Sequence, residues 1–82
     1  MTPAEELLAA VKEHATADVS HHFNRYWPRL SVYGKNVSVD VIIHQRTGRW
    51  CEDVYGYGPE SGTHEHDSAS SAVYSAFLRA RK

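Results

Sequence analysis

The densest set of metal-ligating groups in the chain is His64-Glu65-His66-Asp67. Imidazole and carboxylate both bind zinc and similar ions, and two histidines one residue apart converge on one ion when the backbone is extended. A zinc centre built on His64 and His66 needs one or two further protein ligands. His21, His22, His44 and Cys51 are on offer, but no spacing selects among them. The plainer expectation is a solvated, acidic helix start, where Glu65 and Asp67 suit the positive end of the helix dipole.

Other reactive groups are weaker still. His21 and His22 are adjacent, so on a helix they project about 100° apart and only one borders an apolar stripe. Cys51 sits beside Glu52 and Asp53, whereas a nucleophilic cysteine needs an electropositive setting and an oriented base. No glycine-rich phosphate loop, paired CxxC or Ser-His-Asp order is present. The expectation is a protein that is not an enzyme and carries no cofactor.

Aromatic residues are the notable surplus. Tyr26, Trp27, Tyr33, Trp50, Tyr55, Tyr57 and Tyr74 are many for a chain of 82 residues, and Tyr and Trp dominate interface energetics. The stretch from Trp50 to Tyr57 mixes these rings with Glu52 and Asp53 in a way that burial alone does not require. Trp50, Glu52, Asp53, Tyr55, Tyr57 and Ile42 are the expected partner-binding residues.

Length and charge restrict the classes open to the chain. Residues 1–82 make one domain with one core, and a domain this small buries only about 60% of its unfolded surface. Net charge is −1, with 41% hydrophobic residues, which argues for a folded protein. The charge is segregated: −2 over residues 1–27, +3 over 28–50, −5 over 51–67 and +3 over 68–82. A nucleic-acid binder usually carries a clear basic excess, so that class, acting through Arg29, Lys35, Arg46 and Arg49, ranks low. No run is apolar enough to span a bilayer and the first residues do not read as a secretion signal. The single cysteine suits a reducing compartment, and the expected location is the cytoplasm.

The elements that must position these residues follow from periodicity. Thr2-Pro3-Ala4-Glu5 reads as a capping box with proline at the first helical position. Leu7, Leu8, Val11, Ala15, Val19, Phe23 and Tyr26 recur at three and four, which predicts one helix to Trp27 at the latest, with a kink near Thr16. Leu30 to Tyr33, Val37 to His44 and Trp50 to Tyr55 read as strands, joined by turns at Gly34-Lys35-Asn36 and at Gly48, both able to take positive φ. Gly56 to Gly62 reads as a loop. Asp67 or Ser68 then caps a helix with its stripe on Ala69, Ala72, Val73, Ala76, Phe77 and Ala80.

This order, from Thr2 to Leu78, resembles that of double-stranded-RNA-binding domains. The likeness lies in the Val37 to Ile43 strand, the Gly48 turn and the Ala72-Val73-Ala76-Phe77 helix. The resemblance implies a lysine cluster at the start of the last helix, gripping phosphates. The matching positions here are His64, Glu65, His66 and Asp67, which repel a polyanion, so the RNA function does not carry over.

The expected fold is therefore α+β, in the order αβββα, with two helices on one face of a three-stranded antiparallel meander. The opposite face would carry Ser38, Asp40, Ile42 and His44. The leading functional expectation is a non-enzymatic interaction module acting through that face and the Tyr55 to Asp67 loop. Its partner would be another protein or a second copy of the chain, as in a homodimer. Small size also suits an accessory protein of a phage or mobile element that binds a host protein.

Overall fold

The structure, a computed structural model, describes residues 2–56 and 58–82. Helix α1 (Pro3–His14) begins as its sequence requires: the Thr2 hydroxyl accepts from the Glu5 N–H, and the Glu5 carboxylate accepts from the Thr2 N–H. Hydrogen bonds from Thr2 hold the Glu5 carboxyl below the usual carboxylate range. Leu7, Ala10 and Val11 form the buried side of α1.

The helix ends at His14, short of the expected Trp27. Thr16, Asp18, Val19, Ser20, His21, His22, Phe23 and Asn24 are all middling or poor helix formers, and the same residues satisfy a period of two. They form strand β1 (Ser20–Asn24), which pairs antiparallel with β2 (Arg29–Tyr33). Asn24 closes the hairpin: its side-chain oxygen accepts from the N–H groups of Tyr26 and Trp27, a local bond that competes with helix continuation.

Strands β3 (Val37–Ile43), β4 (Trp50–Gly56) and β5 (Gly62–His66) complete an antiparallel sheet in the order β1-β2-β3-β4-β5. The meander thus has five strands among the described residues, not three. Strand β5 falls where the sequence reads as a loop, because Gly62-Thr63-His64-Glu65-His66 lacks apolar alternation. Its inward positions are histidines. Helix α2 (Ala69–Ala80) is capped by Ser68, whose hydroxyl accepts from the Ser71 N–H. Ala69, Ala72, Val73, Ala76, Phe77 and Ala80 are all buried, as their spacing predicts.

Both helices cover one face of the sheet, and the core joins Leu7, Val11, Val73 and Phe77 to Leu30, Val32, Val39, Val41 and Val54. Two glycines matter here. Gly48 takes φ 71° in the β3–β4 turn, as expected. Gly34 does not have positive φ; it is needed for space, since a Cβ there would lie 2.7 Å from the Ala80 carbonyl oxygen.

Candidate functional site

Pairing of Ile43 with Trp50, Val41 with Glu52 and Val39 with Val54 fixes which side of β4 meets the helices. Successive strand residues face opposite sides, so Trp50, Glu52 and Val54 point inward while Cys51, Asp53 and Tyr55 point outward. Trp50 and Glu52 are buried, and the Trp50 indole N–H donates to Glu6 at 3.1 Å. Neither can meet a partner on the outer face, contrary to the sequence-based expectation. Asp53, Tyr55 and Ile42 do face outward. Tyr57 lies outside the described residues.

The outer face is arranged in cross-strand rows. Tyr33, Ser38 and Tyr55 form one, and Ser31, Asp40, Asp53 and Thr63 form the next. Asp40 and Asp53 stand directly opposite each other, a repulsive pairing. Hydroxyls answer each carboxylate: Ser31 donates to Asp40 and Thr63 donates to Asp53, both at 2.8 Å. Arg29 stands 3.8 Å from Asp40. Burial, then Asp53 and Asp40, push the Tyr55 phenol above its ordinary range. Cys51, on the same side of β4, is buried, and burial followed by the charges of Glu65 and Asp53 raises its thiol pKa.

At one end of the sheet the β1–β2 turn and the β3–β4 turn stand side by side. Tyr26 is 91% exposed and Trp27 68%. Together with Pro3, Pro28, Ile42 and Ile43 they line an open groove of about 800 Å³. Arg29, His44, Gln45 and Arg46 complete its wall, and Arg25 stands on the same turn as Tyr26. The helical spacing of the sequence puts Tyr26 and Trp27 at a helix end, whereas they lie in the β1–β2 turn. The signal that marks them as turn residues is Asn24 followed four positions later by Pro28.

The four cations proposed for nucleic acid do not share a surface. Arg29 and Arg46 line the groove. Arg49 is engaged by Asp67 at 2.7 Å and by Glu65 at 4.0 Å, and Lys35 lies on the β2–β3 turn at the opposite end of the sheet.

His64 and His66 occupy the helix-facing side of β5, where His64 pairs with Glu52 and His66 with Trp50 across the ladder. His64 Nε2 bonds the Glu60 carbonyl at 2.7 Å. His66 is held at both nitrogens, Nε2 to Glu52 Oε1 at 2.6 Å and Nδ1 to the Ser71 hydroxyl at 3.0 Å. Glu52, fully buried, also accepts from Arg79 Nε at 3.1 Å, and Arg79 reaches Glu60 at 3.0 Å. The described residues contain no group of three or more side chains placed to share a metal ion. His21 turns inward from β1, with its ring edge-on to Phe77 at 5.3 Å, and His22 faces the outer side.

No family model, curated protein or solved structure matches the chain.

Proposed function

We propose that the chain is a protein-interaction module that takes an acidic segment of a partner protein, anchored by an apolar side chain, into the groove between the two turns. The observation that carries this reading is the exposure of Trp27 and Tyr26 in a groove that Ile42, Ile43 and Pro28 also line. Rings held this far into solvent contribute little to the fold, whereas aromatic and arginine side chains supply most binding energy where proteins meet. Arg29 and Arg46 on the wall, with Arg25 beside them, give the groove a positive rim that favours a negatively charged partner and speeds its encounter.

Selection from a displayed library of random peptides tests the reading. Enrichment of peptides that combine Asp or Glu with a large apolar residue, and that fail to bind the Trp27→Ala variant, is the expected result. Failure to enrich any peptide, or enrichment of peptides that bind the variant equally well, counts against it.

A further inference from the structure

We infer that Ser71 is a nucleophile primed by general base, able to accept an acyl group from small activated esters. This site shares no residue with the groove. The fold brings together Glu52 on β4, His66 on β5 and Ser71 in the first turn of α2, three residues whose order in the chain hid the arrangement.

The geometry sets the direction of each hydrogen bond. Glu52 is fully buried, and Arg79 holds its second oxygen at 3.1 Å. A carboxylate only accepts, so at 2.6 Å from Glu52 Oε1 the His66 Nε2 must carry hydrogen. In the neutral ring Nδ1 is then the unprotonated nitrogen, and the Ser71 hydroxyl at 3.0 Å donates to it. A carboxylate that fixes the tautomer of an imidazole, which in turn faces a serine hydroxyl, is the arrangement that activates serine nucleophiles on unrelated folds. Ser71 itself is exposed, so an ester reaches it from solvent.

In the step proposed, Ser71 Oγ attacks the ester carbonyl and its proton passes to His66 Nδ1. The bond from carbonyl carbon to the alcohol oxygen breaks, and the leaving oxygen takes that proton. Water attacking the acyl-serine by the same route releases the acid and restores Ser71. The Ser71 N–H is taken up by the Ser68 hydroxyl, but the first turn of α2 leaves the N–H groups of Ala69 and Ser70 without intrahelical acceptors. They lie at the positive end of the helix, where a developing oxyanion is favoured.

Incubating the full chain with an alkyl fluorophosphonate and mapping the adduct by mass spectrometry tests the inference, since the reagent traps activated serines with loss of fluoride. A single adduct on Ser71 is expected. Its rate of formation should rise with pH and then level off, and His66→Gln should slow it about 100-fold or more, the low end of what a positioned base contributes. Ser71→Ala, a change at an exposed position, should abolish it without loss of fold. The pH profile of the unaltered protein keeps the test decisive if His66→Gln unfolds. No adduct, an adduct on another residue, or a rate that grows in proportion to hydroxide without levelling off would overturn the inference.

Discussion

Glu52 is the residue on which the interior electrostatics turn. A fully buried carboxylate is costly unless its charge is compensated and its oxygens are bonded, and here Arg79 and His66 each take one oxygen. Among the described residues no buried side-chain nitrogen or oxygen lacks a partner. Arg79 also reaches the exposed Glu60, but a pair with one partner in solvent adds little. Arg79→Met therefore acts mainly by stranding Glu52, and should lower unfolding free energy by about 3 kcal/mol. Urea denaturation measures it. Adding Glu52→Leu to that variant should restore much of the loss, whereas an Arg79→Met protein as stable as the original would mean that Glu52 has another source of charge compensation.

At the scale of elements, the close approach of α2 to the β2–β3 turn depends on Gly34. A Cβ at this position meets backbone atoms of Ala80 at 2.7 and 2.8 Å and the Val37 carbonyl oxygen at 2.9 Å, none of which can rotate away as a side-chain tip would. Gly34→Ala should cost about 1–3 kcal/mol of stability, seen as a lower thermal midpoint. An unchanged midpoint would show that the helix end moves freely. Which elements were legible follows from how strongly each pattern excludes its rival. The capping box of α1, the stripe of α2 and the alternation of β3 each fit only one periodicity. Val19 and Phe23 fit three-to-four and, with His21 between them, also two, and the hairpin bonds of Asn24 decide for strand. Strand β5 was illegible because its inward residues are histidines, His64 bonded to the Glu60 carbonyl and His66 to the buried Glu52 carboxylate, rather than apolar side chains. Of the expected partner-binding residues, Trp50 and Glu52 were misplaced because one residue of register turns a whole strand over, and no local signal sets the register after Gly48.

For the whole molecule, the two helices close one face of the sheet and leave the other to solvent, with two turns meeting at one end. The outer face centres on Asp40 and Asp53, so its character is acidic, while the groove at the end carries exposed rings and a positive rim. These surfaces suit different ligands, and the proposed function assigns the partner to the groove. Calorimetric titration of an acidic, apolar-anchored peptide into the protein and its variants tests this most directly. Trp27→Ala should weaken binding by about 2 kcal/mol or more, the loss typical of a hot-spot ring, while Tyr55→Ala on the outer face should leave affinity unchanged. Binding that survives Trp27→Ala but is lost with Tyr55→Ala would contradict the account and move the working surface to the sheet.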